Sequence, residues 1–514
     1  MDDLLERIDA AASLLEELHE DRTLLVDVDK PLRNRLLIAA GRVSRPGKRQ
    51  RKALARARRR KDKQDQREED EALMDQSGIR KLRESPIFQT PKRRLEYGEE
   101  DVEEIEEAPE TDEGPSEPIG QTHEERTCYV CQEPFTDVHF FYDQLCISCG
   151  DFNFAKRTPT ADLSGRVALV TGARVKIGFQ AAIMLLRAGA SVIALTRFPA
   201  DAAKRYAAED DFDDWGNRLQ IYGLDLRHTP SVEQFCSHLN ATLDRLDFII
   251  NNACQTVRRP SGFYDHLMEA ELDADQLTSE ERSLMRKVGV QHVDGEALAQ
   301  LAGEEGQGAM STTAPPSALL SQVELLDEDS ERGNHLFPKG QLDADLQQVD
   351  LRKVNSWRLK LADVSAIELL EVHLVNAVAP FILNARLKPL MAAVPTADKH
   401  IVNVSAMEGQ FYRTFKTDRH PHTNMAKAAL NMMTRTSAAD YIDNGIHMNS
   451  VDTGWVTDED PAHHAEQKRE VHRFHPPLDI VDGAARIVDP IFSGISTGEH
   501  VWGQFLKDYQ VTDW

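Results

Sequence analysis

From Leu163 to the C-terminus, short apolar segments alternate with glycine turns and with segments of helical periodicity. The first apolar segment, Val167–Val170, is continuous rather than alternating, which is typical of a parallel strand covered on both faces. Comparable segments recur after each helical stretch up to Val501–Leu506. The alternation predicts an α/β fold with a doubly wound parallel sheet.

The alternation is interrupted between about residues 256 and 355, where the sequence is acidic and mostly helical in pattern. This insertion leaves the predicted sheet at its carboxyl edge, where doubly wound folds bind ligands. Two interpretations follow, a lid over a substrate or a surface for interaction with another molecule. We favour the lid.

The first 125 residues differ from the rest of the chain in composition. Residues 1–40 have apolar positions on one helical face, which predicts a helical unit that could dock a protein partner. Residues 41–125 predict a charged, largely disordered linker. Within it, residues 42–67 carry thirteen lysines and arginines against two aspartates, so contact with nucleic acid or an anionic surface is one interpretation. Because no aromatic residues are interleaved, a solvated tail is the favoured interpretation.

The overall composition indicates a globular chain. Of the 514 residues, 41% are hydrophobic and 29% are charged, and the net charge is −25. No apolar run approaches the roughly 18 residues that span a bilayer, and the acidic N-terminus does not resemble a secretion signal. Six cysteines are too few for a disulfide scaffold. We therefore expect a cytoplasmic protein without a membrane span.

Four of the six cysteines form two CxxC pairs. Cys128 and Cys131 are separated from Cys146 and Cys149 by 14 residues, a spacing that lets four thiolates surround one tetrahedral Zn²⁺. Four thiolates close the coordination sphere, so this metal would be structural. Residues 126–156 therefore predict a small zinc-binding module, with a redox dithiol as the alternative.

A glycine-containing turn follows the first predicted strand and opens a helix. The segment from Thr171 to Gly178 places Gly172 in the tight turn and Gly178 where the helix packs against the sheet. A pyrophosphate would bind the unpaired N–H groups at the helix N-terminus. Arg197 ends the second predicted strand, where an arginine suits a 2′-phosphate, and Arg174 and Lys176 add positive charge. The pattern predicts an NADP(H) site.

Residues 163–514 without the insertion, about half of the chain, resemble the short-chain dehydrogenase/reductase family. The resemblance implies a Rossmann-like domain and an oxidoreductase that acts on a carbonyl or hydroxyl substrate, in dimers or tetramers. It rests on motifs that occur in the family's order: Thr171, Gly172, Ile177 and Gly178 in the phosphate loop, Asp225 and Leu226 as the adenine-contacting pair, Asn251-Asn252-Ala253, Asn376 as the proton-relay asparagine, Ser405 at a strand end, Lys427 as the lysine of YxxxK, and Gly454.

The resemblance fails at the residues that would handle the proton. Thr423 stands where the family has its tyrosine, and a threonine hydroxyl is too weak an acid for proton transfer near neutral pH. The family's serine aligns best with Ala406, leaving Ser405 one position early. The segment before Lys427 is lengthened and contains Tyr412, His420 and His422, of which Tyr412 and His422 are the candidate replacement donors.

Two functional hypotheses follow from this mixture. The first is an NADP(H)-dependent oxidoreductase with a relocated proton donor and a small-molecule substrate. The second is a pseudoenzyme, a nucleotide-binding scaffold for assembly or signalling. The retained Asn376 and Lys427 favour the enzyme, whereas Thr423 and Ala406 favour the scaffold.

Overall fold

The computed structural model describes residues 2–91, 115–286, 316–411 and 416–514, apart from positions 458, 462, 465–467, 469–472 and 474. The chain forms two compact units, Met1–Ala72 and Leu73–Trp514. The acidic run at 99–113 and the candidate donor Tyr412 lie outside the described residues.

The N-terminal unit is helical. It contains α1 (Asp2–Glu20), α2 (Lys30–Ser44) and most of α3 (Lys48–Met74). Asp29 caps α2 by accepting a hydrogen bond from the backbone N–H of Leu32 at 3.3 Å. Leucines and isoleucines of α1 and α2 are exposed, as the amphipathic pattern of a partner-binding unit would require: Leu4, Leu5, Ile8, Leu15, Leu32, Leu37 and Ile38.

The expected disordered linker at 41–125 is wrong for most of its described part. Helix α3 runs through the basic segment, α4 (Gly78–Glu84) follows it, and β1 begins at Gly120. The reason lies in composition, because arginine, lysine, glutamate, alanine and leucine all have high helix propensity. Pairs one turn apart add to it, as where Gln64 donates to Glu68 at 2.9 Å.

A small module precedes the large sheet. It consists of the antiparallel hairpin β1 (Gly120–Thr127) and β2 (Pro134–Val138), a loop, and α5 (Ile147–Lys156). Helix α4 joins it through backbone hydrogen bonds from Gly78 and Ile79 to the carbonyl groups of Phe140 and Phe141. The module therefore begins earlier in the chain than residue 126.

The large sheet confirms the predicted doubly wound architecture. Its strands are β3 (Val167–Thr171), β4 (Ser191–Thr196), β5 (Leu219–Gly223), β6 (Phe248–Asn251), β7 (Met285–Arg286), β8 (Lys399–Ser405), β9 (Ile446–Asp452), β10 (Phe505–Lys507) and β11 (Gln510–Thr512). Their order is β11-β10-β9-β8-β6-β3-β4-β5-β7. All neighbours are parallel except β10 and β11. The order reverses between β3 and β6, where doubly wound folds bind ligands.

Helices cover both faces of the sheet. Alternate residues of β3 show this division, since Ala168 and Val170 belong to one buried cluster and Leu169 to the other. The first cluster contains residues of α6 (Lys176–Arg187), α7 (Pro199–Ala207), α8 (Phe212–Trp215) and α16 (Ile480–Thr497). The second contains residues of α9 (Thr229–Thr242), α14 (Ala379–Ala393) and α15 (Pro421–Ile442).

One helical segment, Ala366–Ala393, is long and apolar enough to cross a membrane by length and composition alone. This finding differs from the sequence-based expectation of no such segment. The segment comprises α13 (Ala366–His373), a π-helical turn at Leu374–Val378 and α14. Because Leu383, Leu387 and Met391 are buried in the second core cluster, we interpret it as a core helix of the sheet.

The described part of the insertion contains α10 (Asp265–Leu272), α11 (Ser279–Leu284) and α12 (Pro316–Leu320). It also contributes β7, which pairs with β5 and extends the sheet beyond the edge predicted from sequence. A separate apolar cluster joins the insertion to the start of α7: Phe198, Phe263, Tyr264, Leu267, Ala318 and Phe337. The insertion is therefore packed at the β4–β5 side of the fold.

Candidate functional site

A cleft of about 1440 Å³ lies at the carboxyl ends of the central strands. Its wall includes the turn after β3, the ends of β4, β5, β6, β8 and β9, parts of the insertion, and three residues of the small module: Tyr129, Val130 and Gln132. Most of the predicted cofactor residues line this one cleft.

The turn after β3 has the shape expected of a phosphate loop. Gly172 has φ +66°, and a Cβ atom there would lie 2.8 Å from the Cα atom of Ala253. A Cβ atom on Gly178 would collide with the side chain of Asn252 and the carbonyl oxygen of Gly172. Asn252 binds that turn by donating to the carbonyl oxygens of Thr171 and Gly172 at 3.1 and 3.3 Å. Neighbouring backbone and side-chain atoms of the same chain therefore leave no room for a side chain at Gly172 or Gly178.

Lys176 occupies the position of the family's middle glycine and keeps a left-handed backbone, with φ +55°. A non-glycine residue pays about 1–2 kcal/mol for this conformation. Its ammonium lies 3.9 Å from a carboxylate oxygen of Asp345 and 4.0 Å from one of Glu459. Burial lowers the pKa of Lys176, but these two carboxylates outweigh it and the pKa lies above its ordinary value. The side chain of the next residue, Ile177, packs against Gly483 of α16, where a Cβ atom would lie 2.9 Å from it.

Arg174 is not the free cation that the sequence suggested. Its guanidinium is buried and forms an ion pair with Asp201 at 2.6 Å. Asp201 also pairs with Arg205 at 2.7 Å, and Arg205 donates to the carbonyl groups of Asp345 and Leu346. Arg205 therefore holds the insertion against α7, and the charge of Arg174 is largely neutralised by Asp201.

Arg197 extends from the end of β4 toward the insertion. Its guanidinium donates to the hydroxyl of Tyr264 at 2.7 Å and lies over that ring, 4.8 Å from its centre. No carboxylate of the described residues forms an ion pair with it. Burial raises the pKa of Tyr264, but the charge of Arg197 and two further arginines outweighs it, so the pKa lies below its ordinary value. This corner is electropositive and suited to an anion.

Asp225 and Leu226 follow β5 and line the same end of the cleft. The Asp225 carboxylate forms a bidentate ion pair with Arg227, with distances of 2.7–3.1 Å. Burial raises the pKa of Asp225, but Arg227 outweighs it and holds the pKa below its ordinary value. Arg227 also binds Glu371 at 2.8 Å and was not foreseen from the sequence.

Asn376 lies within the π-helical turn between α13 and α14. Its carboxamide oxygen accepts from the backbone N–H of Gln255 at 2.7 Å, and its nitrogen donates to the Gln255 carbonyl at 3.1 Å. Asn376 therefore joins the bulged helix to the chain that follows β6. Such bulges recur at functional sites.

Ser405 and Lys427 meet at the end of β8. Both line the cleft with Ala406, and both are buried. Lys427 donates its ammonium to the carbonyl oxygen of Val404 at 2.8 Å. The hydroxyl of Ser405 has no hydrogen-bond partner among the described residues. A buried hydroxyl without a partner is costly, so a ligand that binds it would be stabilised here.

The structure does not bring His422 to the cleft. His422 is buried on α15, and its Nε2 atom lies 3.4 Å from a carboxylate oxygen of Glu368. It is absent from the cleft wall, as is Thr423. His420 stacks on Trp357 with ring centres 3.9 Å apart. Of the two candidate donors, His422 is poorly placed, and Tyr412 lies outside the described residues.

Asp452, at the end of β9, was not singled out from the sequence. It is the register partner of Ser405, and its carboxylate accepts from the N–H groups of Met407 at 2.7 Å and Gly454 at 2.6 Å. Burial and the nearby Glu408 raise the pKa of Asp452. Asp452 thus ties together the two loops that follow β8 and β9. The sequence signals were its position directly after a predicted strand and the departure of Asp452-Thr453 from the residue-proline pair that the family has before its glycine, here Gly454.

The four predicted zinc ligands come together. The sulfur atoms of Cys128, Cys131, Cys146 and Cys149 all lie within 4.8 Å of one another. His139 is not part of this group: its Nδ1 atom accepts from the N–H groups of Phe141 and Tyr142 at 3.0 and 3.1 Å, and its Nε2 atom lies 3.2 Å from a carboxylate oxygen of Asp151. Four thiols at this separation match the donor set of a structural zinc site.

Family comparisons agree with this geometry. Residues 166–274 match the model of the short chain dehydrogenase family, and residues 353–480 match that of the enoyl-(acyl carrier protein) reductases. These matches support the short-chain dehydrogenase/reductase family for the Rossmann-like domain. The small module and the N-terminal unit precede both matched ranges.

Individual relatives of the chain are distant. The chain is 29% identical over 379 residues to the uncharacterized protein R665 of Acanthamoeba polyphaga mimivirus, covering 71% of each chain. It is 24% identical to the short-chain dehydrogenase/reductase pyiH of Pyricularia grisea, covering 39% of this chain and 81% of that one. A solved short chain dehydrogenase from Burkholderia cenocepacia, in complex with NADP, is 16% identical with a TM-score of 0.41, covering 68% and 97%.

Proposed function

We propose that this chain is an NADP(H)-dependent oxidoreductase that acts on a carbonyl or hydroxyl substrate. The observation that carries the proposal is Arg197, a strand-end guanidinium without a carboxylate partner among the described residues, at one end of a cleft whose middle contains the glycine phosphate loop. In doubly wound folds an arginine at this position accommodates a 2′-phosphate.

The residues of the cleft fit the dinucleotide from end to end. Arg197 and Tyr264 would hold the 2′-phosphate, and the N-terminus of α6 would hold the pyrophosphate. Lys427, at the other end, would bind the nicotinamide ribose, as its resemblance to the family lysine implies. When bound, the nucleotide supplies or accepts the hydride.

The proton requires a group other than Thr423, because that hydroxyl is buried away from the cleft wall. We infer that Ser405 orients the substrate oxygen, since Ser405 lines the cleft and its buried hydroxyl has no partner among the described residues. Tyr412, in the lengthened segment, remains the proposed donor on chemical grounds, since a phenol is a far better acid than an aliphatic alcohol.

The second candidate is a nucleotide-binding scaffold without turnover. The observation that favours it is the burial of Thr423 together with the position of His422 against Glu368. A general acid contributes roughly 10²- to 10⁴-fold to rate, so its loss without replacement would leave little activity.

A substrate screen separates the two candidates. Aldehydes, ketones and enoyl thioesters are incubated with the full-length protein, and NADPH consumption is followed by absorbance. Consumption that Ser405→Ala reduces at least tenfold, with NADPH affinity unchanged, supports the enzyme. NADPH binding without consumption for every compound supports the scaffold, and absence of binding contradicts both.

We further propose one structural Zn²⁺ on the four cysteines. Support comes from the four sulfur atoms, which lie close enough together to bind one ion, and from the folding free energy that metal binding supplies to small modules. A cytoplasmic location and a homo-oligomeric state remain proposals from sequence and resemblance.

A further inference from the structure

We propose that the four-cysteine module forms one wall of the nucleotide cleft, and that Tyr129 couples metal binding there to binding of the nicotinamide end of NADPH. This inference rests on the proposed function. Tyr129 would be a positioning residue, since it acts through the backbone of the loop after β9.

Tyr129 lies between two of the predicted metal ligands, Cys128 and Cys131. Its backbone is tied into the module, because its N–H donates to the carbonyl of Gln144 at 3.0 Å. Its carbonyl oxygen accepts from the side chain of Gln132 at 2.6 Å. A metal on the flanking cysteines would fix both sides of this residue.

The side chain of Tyr129 leaves the module and reaches the cleft. Its hydroxyl oxygen accepts from the backbone N–H of Trp455 at 2.9 Å. A Cβ atom on Gly454, where φ is +75°, would lie 3.4 Å from the same oxygen. Tyr129, Gly454 and Trp455 all line the cleft, so the contact lies at the ligand site itself.

The module contacts the segment after β9 at its start, where Tyr129 binds Trp455, and again before α16. At the second place, the side chain of Gln144 donates to the carbonyl of His475 at 2.7 Å. Arg157 forms ion pairs with Asp479 at 2.8 Å and with Asp482 at 2.9 Å. Asp479 and Asp482 stand at the start of α16, and residues of α16 belong to the same buried cluster as residues of the module.

The two attachments differ in their dependence on a metal. Arg157 follows α5 and is buried with its aspartate partners, so its position depends on apolar packing and ion pairs. Tyr129 lies in a short turn between Cys128 and Cys131, so a metal on these cysteines would restrain it in addition to its hydrogen bonds. Loss of the metal would therefore loosen Tyr129 while α16 stays docked.

The effect should be confined to one end of the cleft. Trp455 follows β9, whereas Arg197 follows β4, and these strands are four positions apart in the sheet. At about 4.8 Å per strand, the separation is roughly 19 Å. A dinucleotide must extend across this distance, so its adenosine half lies far from Tyr129.

The test uses two probes on the full-length, metal-loaded protein. Adenosine 2′,5′-bisphosphate reports on the Arg197 end alone, and NADPH reports on the whole cleft through affinity and nicotinamide fluorescence. Tyr129→Phe should retain its zinc and its affinity for the bisphosphate, while NADPH binds about three- to tenfold more weakly with altered emission. Tyr142→Phe is the matched control, because that hydroxyl bonds to Asp482 instead of the cleft loop.

Removal of the metal with a chelator, combined with Tyr129→Phe, gives a thermodynamic cycle that measures the coupling between the metal and Tyr129. It should weaken NADPH binding in the parent, spare the bisphosphate, and have a smaller effect in Tyr129→Phe, because the same coupling is already lost. Equal weakening of both probes, or unchanged NADPH binding in Tyr129→Phe, would overturn the coupling while leaving the proposed function intact. If neither probe binds the parent, the proposed function fails as well.

Discussion

The guanidinium of Arg197 donates a hydrogen bond of 2.7 Å to the hydroxyl of Tyr264. Arg197 belongs to the Rossmann-like frame, and Tyr264 belongs to the insertion. The sequence suggested that the insertion closes over a substrate, but this contact and the cluster around Phe198 place its described part against the adenosine end of the cleft. The described part of the insertion therefore borders the proposed nucleotide site.

The first prediction concerns this pair. Tyr264→Phe removes the hydroxyl that fixes Arg197, so the guanidinium meets the 2′-phosphate less well oriented. We expect NADPH affinity to fall about three- to tenfold, the effect of losing one ordinary hydrogen bond of roughly 0.5–1.5 kcal/mol, because Tyr264→Phe leaves the charge of Arg197 in place; NADH affinity should be unchanged. Fluorescence titration measures both.

A matched tyrosine provides the control. Tyr222 lies on β5 outside the cleft wall, with its hydroxyl 3.5 Å from His238. Tyr222→Phe should leave the ratio of NADPH to NADH affinity unchanged. If Tyr264→Phe also leaves that ratio unchanged, Tyr264 has no part in recognition of the phosphate.

The second prediction separates cofactor binding from proton transfer. Lys427→Ala should weaken NADPH binding, because it removes the ammonium group of a residue that lines the cleft. The hydrogen bond from that group to the carbonyl of Val404 is lost as well. Tyr412→Phe should leave binding intact and remove turnover. His422→Ala should reduce thermal stability through its buried position but leave turnover per folded molecule within about threefold of the parent. Turnover abolished by His422→Ala alone would show that His422 reaches the substrate.

Much of the fold was predictable because its signals are local. Continuous apolar strands, glycines at close approaches and the spacing of the cysteines each depend on a few neighbouring residues. The pairing of Arg174 with Asp201 was not predictable, since it depends on how α7 returns beside the phosphate loop. The contact of Tyr129 with Trp455 joins residues more than 300 positions apart and has no sequence signal. Strand β7 was missed because it has only two residues.

The third prediction concerns the metal. Protein purified without chelator should contain one zinc per chain by elemental analysis, and Cys149→Ser should lose it, because a serine oxygen does not replace a thiolate on Zn²⁺. Cys236→Ala serves as the control, since Cys236 is buried on α9 outside the cluster and should retain full zinc content. Zinc-free parent protein would contradict the site.

The fourth prediction concerns Glu271, which is buried on α10 in the insertion. Burial raises its pKa to about 7, and one carboxylate oxygen has no partner among the described residues. Between its ordinary pKa of 4.5 and about 7, the folded chain holds a proton that the unfolded chain releases. Stability contributed by protonated Glu271 is therefore present at low pH and lost as pH rises through this window.

Glu271→Gln removes that titration. Its free energy of unfolding should exceed the parent's by about 1–3 kcal/mol at pH 8, and the difference should shrink toward zero at pH 5. Urea unfolding of parent and variant at the two pH values measures it. A difference independent of pH would mean that Glu271 is ionised throughout.

The most direct test of the account is a calorimetric titration of the full-length protein with NADPH and NADH, repeated on Arg197→Asp. We expect the parent to bind NADPH more tightly than NADH. We also expect Arg197→Asp to weaken NADPH binding by about one to two orders of magnitude, because a charge-assisted contact of roughly 1.5–3 kcal/mol is lost. Equal affinity of the parent for both nucleotides, or no binding of either, would contradict it.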